Sequence, residues 1–380
     1  MLKRLSLLIL IVSLFGACQS SKNITRKSID KIKDFDKLLN AVRIHYGMPA
    51  MAAAVIRNEE IVKTGVSGLR NIHSDQKVEI TDYFHLGSNT KPVTAFWAAG
   101  MVEAGLVEWD TKFFDVFPKW KEDALKTYHN ITLADLLSHR ARIPKFTGAR
   151  DFLDVPTFEG TSTEQRRSFA KWVLRHNPAK VGNQEGYEYS NAGYAMAATM
   201  LEEVSGTTWE SSISEDVFAP MDSRCIVGWP TDLSQDQPMG HISANPLDTI
   251  LRPLDGNWTY RMEKYIAPAG DISISIGDFA KFVQAHLQGV QGKDNHLKAE
   301  TYKYMHYDRN NYGMGWIRMK KDDVNISLHD GSAGTFYSHT SIYKEKDLAL
   351  IIFVNASNVN ATKAVYTLKR RLMELYHAKK

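Results

Sequence analysis

Hydrophobic spacing near the start of the chain changes from a helical pattern to two short apolar runs. Over residues 29–46 an apolar or aromatic side chain recurs every three or four positions, which predicts a helix with one buried face. Residues 50–57 and 61–68 then form two apolar runs, separated by the polar residues 58–60. Two such runs with a short polar break predict a β-hairpin.

The last third of the chain returns to runs of strand type. A polar break at residues 345–347 marks the final hairpin turn, and a helical pattern over residues 358–378 closes the chain. The predicted strands of this part cover residues 312–319, 325–329, 335–343 and 348–355.

The middle of the chain is mainly helical in its pattern. Ser275 and Asp278 resemble a capping box at the start of one helix. Residues 228–261 carry four prolines and little periodicity, which indicates a long loop of the kind that shapes a pocket rim. The predicted helices cover residues 88–105, 131–139, 163–175, 191–204 and 279–287.

Strands at both ends with helices between them predict an α+β fold. We expect the N-terminal and C-terminal strands to form one antiparallel sheet flanked by helices. Residues 106–270, approximately, then form a mostly helical subdomain within one folded domain that covers residues 28–380.

Residues 1–18 have the composition of an export signal. Lys3 and Arg4 precede an apolar run at residues 5–15, and small residues then lead to Cys18. The run is too short for a membrane-spanning helix, so it indicates a signal peptide.

The end of this signal resembles a bacterial lipoprotein box, which implies that Cys18 is lipidated. We therefore expect residues 19–27 to form a tether and the protein to be exported. It would be a membrane-anchored lipoprotein that faces the periplasm or the cell exterior. A plain secretory signal with an unmodified Cys18 is the alternative.

Composition and charge narrow the possible partners. The chain has 380 residues, of which 43% are hydrophobic and 24% charged, with a formal net charge of +4. This is ordinary globular composition, and it gives no electrostatic case for binding nucleic acid. Cys18 and Cys225 are the two cysteines, so neither an internal disulfide in the mature chain nor a cysteine zinc site is expected.

A serine and a lysine at the start of one predicted helix are the first candidates for chemistry. Ser88 lies where unpaired backbone N–H groups point outward, and Lys91 rises from the same helix face three residues later. A nearby amine of lowered pKa is one way to activate a serine nucleophile. The spacing alone is weak, because four other serines have a lysine three residues on: Ser28, Ser74, Ser168 and Ser341.

A second candidate group is the tripeptide Tyr189-Ser190-Asn191, just before a predicted helix. A tyrosinate beside an ammonium can take a proton from serine and return it to a leaving group. Asn191 can hold a substrate amide oxygen and steer Lys91. The alternative is a core tyrosine followed by a helix-capping asparagine.

The third candidate group is the glycine-rich segment 329–334 between two apolar strands. Catalysis needs a sheet edge beside the substrate, and Gly331 permits a close approach of the backbone. The N–H groups of Ser332 and Ser88 can form an oxyanion hole. We expect His329 to contribute to substrate binding as well. The alternative is a hairpin loop with an exposed histidine.

These segments, in this order, resemble the serine β-lactamase-like family. The family includes class C β-lactamases, penicillin-binding proteins such as D-alanyl-D-alanine carboxypeptidases, and related esterases. The resemblance runs from about residue 50 to residue 357. Further family-like segments are Leu136-Leu137-Ser138-His139, Pro268-Ala269-Gly270-Asp271 and Tyr312-Gly313-Met314-Gly315-Trp316.

Three features depart from the family pattern. Lys63-Thr64-Gly65 is the family's usual tripeptide, but it precedes the nucleophile, so we interpret Lys63 as an exposed strand residue. His329 stands where true β-lactamases have a lysine, which weakens the case for a cation that binds a substrate carboxylate. Arg140-Ala141-Arg142 replaces the Thr-Ser-Gly that often follows His139. We interpret His139 as a structural histidine rather than a base.

The resemblance implies an acyl-enzyme cycle without a metal or organic cofactor. Ser88 attacks a carbonyl group, and Lys91 and Tyr189 carry its proton. We therefore expect an exported serine hydrolase that cleaves an ester or amide bond in a small-molecule or peptide-like acyl substrate. The alternatives are a β-lactamase or D-alanyl-D-alanine carboxypeptidase in the narrow sense, or a catalytically inactive lipoprotein that binds peptidoglycan.

Overall fold

Most of the longer strands come from the two ends of the chain. The computed structural model describes residues 24–182, 186–245, 247–254 and 261–377. The strands are β1 (Ala50–Arg57), β2 (Glu60–Gly68), β3 (Tyr83–His85), β4 (Cys225–Val227), β5 (His241–Ile242), β6 (Arg252–Pro253), β7 (Ile272–Ser275), β8 (Ile317–Lys321), β9 (Val324–Ser332), β10 (Tyr337–Tyr343), β11 (Leu348–Val354) and β12 (Ala356–Ser357).

The main sheet is antiparallel and has the order β2-β1-β11-β10-β9-β8. Its centre joins the two ends of the chain, because β1 pairs with β11 from Met51 opposite Val354 to Arg57 opposite Leu348. Asn58 and Glu59, which connect β1 to β2, both have positive φ, as a tight hairpin turn requires. The predicted α+β fold, with a sheet built from both ends of the chain, is confirmed.

The α-helices of the described residues are spread along the chain from its N-terminal to its C-terminal part. They are α1 (Arg26–Ile29), α2 (Phe35–Tyr46), α3 (Thr90–Glu103), α4 (Phe113–Val116), α5 (Leu133–Leu137), α6 (Ser162–Leu174), α7 (Asn191–Ser205), α8 (Trp209–Ser212), α9 (Pro230–Leu233), α10 (Ile276–Gln291), α11 (Ala299–Tyr307) and α12 (Val359–Tyr376).

The two faces of the sheet are covered by different helices. Along β1 the odd-numbered residues such as Ala53 pack with Leu39 of α2 and Leu368 of α12. The even-numbered residues such as Ala54 belong to the other hydrophobic cluster, which includes Phe282 of α10. This period of two places one apolar layer on each side of the sheet.

Most of the regular elements in the described middle of the chain are helices separated by long loops, and its buried side chains continue the core on the α10 side of the sheet. Phe113, Leu136, Phe169 and Trp209 belong to the same hydrophobic cluster as Ala54. The small sheet β3-β7-β4 joins this region to the segment before α3. The boundaries of the helical subdomain stay a prediction.

Local capping signals place several helices as the sequence predicts. Thr132 and Ser275 accept hydrogen bonds from the backbone N–H groups of Asp135 and Asp278, and so cap α5 and α10. The single helix predicted over residues 29–46 is wrong, because the chain turns between α1 and α2. Asp34 caps the second of these helices.

The strand predicted over residues 312–319 is also wrong in its first half, because β8 begins only at Ile317. Gly315 has a φ of +84°, which is incompatible with an extended strand. A Cβ atom at Gly315 would lie 2.7 Å from the Cα of Pro92. The backbone therefore turns here to pass close to the start of α3.

The predicted signal peptide, Cys18 and most of the predicted tether lie outside the described residues. Among the residues that the structure describes, no helix combines the length and the apolar character that crossing a membrane requires.

Candidate active site

Ser88 lies in a tight turn between a strand and a helix. The Leu86 N–H donates to the carbonyl of Ile272, and a 3-10 turn over Gly87–Asn89 then leads directly into α3. Gly87 has a φ of +52°, so the turn favours glycine at that position. Ser88 opens onto a cleft of about 560 Å³.

Lys91 is fully buried beside this serine. Its Nζ lies 3.0 Å from the Ser88 Oγ, 2.7 Å from the Asn191 Oδ1 and 2.8 Å from the carbonyl oxygen of Ala269. Burial lowers the pKa of the Lys91 ammonium well below its usual value. The neutral amine has two N–H donors, and the two carbonyl-type oxygens take both. Its lone pair is then left for the Ser88 hydroxyl.

Asn191 is held as the first residue of α7 and does not cap it. The cap is Ser190, whose Oγ accepts from the N–H of Gly193. The Asn191 Nδ2 donates to the carbonyl of Phe146 at 2.7 Å, which fixes the amide with its Oδ1 towards Lys91. The amide has a second N–H, which can donate to a substrate oxygen.

Tyr189 faces the same amine. The Lys91 Nζ lies 4.8 Å from the centre of the Tyr189 ring. Burial raises the pKa of the Tyr189 phenol, and a hydrogen bond with Ser88 offsets part of this effect. Because burial lowers the pKa of Lys91 and raises that of Tyr189, it favours a neutral amine and a neutral phenol over an ammonium–tyrosinate pair.

Strand β9 runs against the turn that carries Ser88. A Cβ atom at Gly331 would lie only 2.0 Å from the carbonyl oxygen of Leu86, so a glycine is required for this approach. The Asn89 Nδ2 donates to the carbonyl of His329, which ties the turn to the strand. Ser332, at the end of β9, lines the cleft together with Ser88.

His329 points into the protein beside the cleft. Its Nδ1–H donates to the carbonyl of Asp330 at 2.7 Å, so its Nε2 accepts from the Tyr312 hydroxyl at 2.9 Å. Burial lowers the pKa of His329 to about 3. The side chain is 2% exposed and neutral, and it does not line the cleft.

The family described as Beta-lactamase matches residues 31–372 of the chain. The chain belongs to the β-lactamase family. This match confirms the resemblance recognised from the sequence motifs. Membership of the family supports a general activity as a serine hydrolase.

Two relatives and one solved structure illustrate what the chain is similar to. The chain is 24% identical to the unguisins hydrolase ungD of Aspergillus violaceofuscus, over 88% of its own length and 64% of that protein. It is 23% identical to penicillin-binding protein 4 of Amycolatopsis lactamdurans, over 83% of each chain. The D-amino acid amidase of Ochrobactrum anthropi SV3 has the same fold. That structure superposes with a TM-score of 0.70 at 19% identity, covering 88% of this chain and 97% of the amidase.

The cleft of this β-lactamase-family protein has mainly apolar walls. Among the described residues that line it, Arg261 and Glu263 carry formal charges. Arg261 pairs with Asp232 at 3.0 Å. The apolar lining includes Phe146, Phe152, Ile242, Met262 and Ile266.

Several groups that complete the site were missed by sequence reasoning. The Ala269 carbonyl binds Lys91, but a backbone acceptor has no side-chain signature. His85 accepts the N–H of Gly87 at its Nδ1 and lies 3.0 Å from Asp271 at its Nε2, so this pair supports the nucleophile turn. Burial raises the pKa of Asp271, and the hydrogen bond with His85 opposes this.

The arginine that departs from the family pattern also has a structural partner. The Arg140 guanidinium donates to the carbonyls of Ser138 and Tyr312, each at 2.9 Å, and to the carbonyl of Asn310 at 2.6 Å. Arg140 therefore joins the loop after α5 to the segment before β8.

Two competing motifs are excluded by their position. Lys63 is exposed on β2, at the opposite side of the main sheet from β9. Ser341 has the partners of a Ser-His-Asp arrangement. The His339 Nε2 lies 3.1 Å from the Ser341 Oγ, and the His339 Nδ1 lies 2.7 Å from the Asp330 Oδ1. However, Ser341 is fully buried, so no substrate reaches it.

No group of three or more His, Cys, Asp or Glu side chains is placed to hold a metal ion within residues 24–182, 186–245, 247–254 and 261–377. The groups gathered at Ser88 are instead a hydroxyl, an amine, a phenol and an amide. Such a set suits proton transfer to and from a serine nucleophile.

Proposed function

We propose that the protein is an exported serine hydrolase that cleaves an ester or amide bond through an acyl-enzyme on Ser88. One observation carries the proposal. The buried Lys91 Nζ lies within hydrogen-bonding distance of two oxygens that can only accept and 3.0 Å from the Ser88 Oγ, and burial lowers its pKa. In the neutral amine the two oxygens take both N–H groups, so the lone pair faces the Ser88 hydroxyl. A serine activated in this way is a nucleophile.

The first half of the reaction forms the acyl-enzyme. The Ser88 Oγ attacks the substrate carbonyl as its proton moves to the Lys91 Nζ. The carbonyl oxygen becomes an oxyanion, which the N–H groups of Ser88 and Ser332 stabilise by about 3–4 kcal/mol for each donor. The oxyanion then re-forms the carbonyl as the bond between the acyl carbon and the leaving group breaks. The Tyr189 phenol gives its proton to the departing group, and the Lys91 ammonium returns a proton to Tyr189.

The second half reverses these roles. A water molecule attacks the acyl carbon, and its proton passes to the Lys91 amine. The bond between the acyl carbon and the Ser88 Oγ then breaks, and Ser88 recovers its proton. The cycle ends with the groups in their starting state.

The charges around the cleft favour an uncharged substrate. His329 is neutral and both its ring nitrogens are bonded within the protein, so it offers no cation to a substrate carboxylate. Arg261 is held by Asp232. We therefore place esters and amides without a carboxylate beside the scissile bond ahead of β-lactams and D-alanyl-D-alanine peptides.

Relative turnover tests this order. We expect purified protein to hydrolyse p-nitrophenyl butyrate faster than nitrocefin, with both activities lost in Ser88→Ala. Efficient nitrocefin hydrolysis would place the β-lactamase function first. Absence of any turnover or of a serine-dependent adduct would leave a peptidoglycan-binding protein.

We also propose that Cys18 carries the lipid that anchors the protein to a membrane. The support is the segment at residues 15–18, which resembles a lipoprotein box. Cells fed with radioactive palmitate should label the wild-type protein in the membrane fraction. Cys18→Ala should be unlabelled. Equal labelling of both proteins would refute the anchor.

A further inference from the structure

His139 holds the backbone on both sides of Tyr189. The carbonyl of His139 accepts the N–H of Glu188 at 2.9 Å, and its ring Nδ1 accepts the N–H of Ser190 at 3.1 Å. The imidazole also packs on the Tyr189 ring, with 4.3 Å between the ring centres. Tyr189 is thus fixed from three directions by one residue.

The hydrogen bonds of His139 define its tautomer. Because the Nδ1 accepts, the proton of the neutral ring is on the Nε2. Burial lowers the pKa of His139 well below its usual value. In this state neither nitrogen has a free lone pair to take the proton of Ser88. His139 is therefore not the base of a Ser-His pair.

Two features of His139 lower the stability of the folded protein. The backbone of His139 has a φ of +62°, which is uncommon for a residue other than glycine. The Nε2 is buried and has no hydrogen-bond partner in the described part of the chain. Strain of this kind concentrates where a fold fixes a working side chain. The other rings around the imidazole are those of Tyr187, Tyr194 and Tyr312.

We propose that His139 is a positioning residue that holds the Tyr189 phenol at Ser88 through the acceptor at its Nδ1. This inference rests on the proposed function, because it assigns Tyr189 the transfer of a proton to the leaving group. The role of His139 is then geometric, and an amide oxygen at the same point can replace it.

Asparagine and glutamine at position 139 separate this role from simple packing. The Oδ1 in His139→Asn can occupy the place of the Nδ1, and asparagine tolerates positive φ. His139→Gln moves the acceptor further along the side chain. For p-nitrophenyl butyrate we expect His139→Gln to lower kcat by about 10²-fold with little change in KM. His139→Asn should recover most of kcat.

A second substrate with a poorer leaving group and a double mutant with Tyr189→Phe test whether His139 acts through Tyr189. Phenyl butyrate needs a proton at its leaving group more than p-nitrophenyl butyrate does, so its kcat should fall further in His139→Gln. In a Tyr189→Phe background, His139→Gln should have little additional effect on kcat.

Three results would overturn the inference. They are equal losses of kcat in His139→Asn and His139→Gln, a full effect of His139→Gln in the Tyr189→Phe background, and failure of His139→Gln to fold. The last would make the residue structural. A failure of the proposed function appears elsewhere, as wild-type turnover that persists in Ser88→Ala.

Discussion

At Lys91, the direction of the amine is set by two oxygens that can only accept hydrogen bonds. When the amine is neutral, Asn191 Oδ1 and the carbonyl of Ala269 accept its two N–H groups, and the Ser88 hydroxyl donates to its lone pair. The protonation state of this single side chain therefore controls the nucleophile. Burial lowers the pKa of Lys91 and thus favours the neutral, active form.

Replacement of Lys91 by arginine should abolish this arrangement. Arginine keeps its charge throughout the accessible pH range and has no lone pair to offer. We expect Lys91→Arg to lower kcat/KM for p-nitrophenyl butyrate by about 10²–10⁴-fold. The thermal unfolding midpoint should be measured in parallel to confirm folding. A folded Lys91→Arg protein with wild-type kcat/KM would remove Lys91 from the mechanism.

A carboxylate at Asn191 should shift the pH dependence of the reaction. The wild-type kcat/KM should rise with pH through the lowered pKa of Lys91, because the amine acts without its proton. In Asn191→Asp an anion stands 2.7 Å from the Lys91 Nζ and raises the Lys91 pKa. The acid limb should then move to higher pH. The exposed Asn40→Asp serves as the control and should leave the profile unchanged. A limb that stays in place or moves to lower pH in Asn191→Asp would contradict the assignment.

At the scale of elements, the site exists because β9 and the turn before α3 share a narrow interface. Gly331 leaves no room for a side chain between the strand and Leu86. The Asn89 amide closes the same interface from the helix side, bonding both His329 and Ser338. The catalytic geometry therefore depends on backbone spacing as well as on side chains.

An added methyl group at Gly331 should disrupt this interface. Gly331→Ala places a Cβ atom 2.0 Å from the Leu86 oxygen, so β9 must move away. We expect a loss of about 1–3 kcal/mol in the free energy of unfolding, with a loss of kcat/KM. Gly277→Ala is the matched control, since its Cβ meets no atom within 4 Å. Full activity in Gly331→Ala would show that close packing at this point is dispensable.

At the scale of the whole molecule, buried histidines couple stability to pH. The Nδ1 of His286 lies 2.8 Å from the Nε2 of His306 in the core, and both side chains are fully buried. Burial lowers the pKa of His306 to about 3 and that of His286 well below its usual value. Burial likewise lowers the pKa of His241 to about 4.

The free energy of unfolding should fall as the pH is lowered from about 6.5 towards 3. In this window the histidines bind protons in the unfolded chain but not in the folded chain. Each such histidine lowers the free energy of unfolding by about 1.4 kcal/mol for every pH unit. Urea unfolding across this range measures the slope. The variant His286→Leu/His306→Leu should show a shallower slope, and the exposed His73→Gln an unchanged one. A slope that is equal in all three proteins would contradict the role of this pair.

The sequence predicts those parts of the molecule whose causes are local. The caps Thr132 and Ser275 and the hairpin at Asn58 have signals within a few residues, and the structure confirms them. The spacing of Ser88 and Lys91 on one turn is equally local. The order of the motifs along the chain matches that of the β-lactamase family. This match adds Tyr189 and Asn191 to the candidate site residues.

The remaining partners could not be predicted because they depend on distant backbone. The Ala269 carbonyl meets Lys91 across 178 residues and has no side-chain signature. His139 acts through a main-chain N–H of Ser190, which any residue provides. The turn at Gly315 depends on its approach to Pro92, which a pattern of apolar residues does not encode.

The role of Ser88 as the nucleophile is tested most directly by the intact mass of the protein after treatment with a fluorophosphonate, followed by peptide mapping. We expect a single adduct on Ser88, formed faster as Lys91 loses its proton with rising pH, and absent in Ser88→Ala. An adduct that persists in Ser88→Ala, or that maps to another serine, would contradict the assignment of Ser88 as the nucleophile.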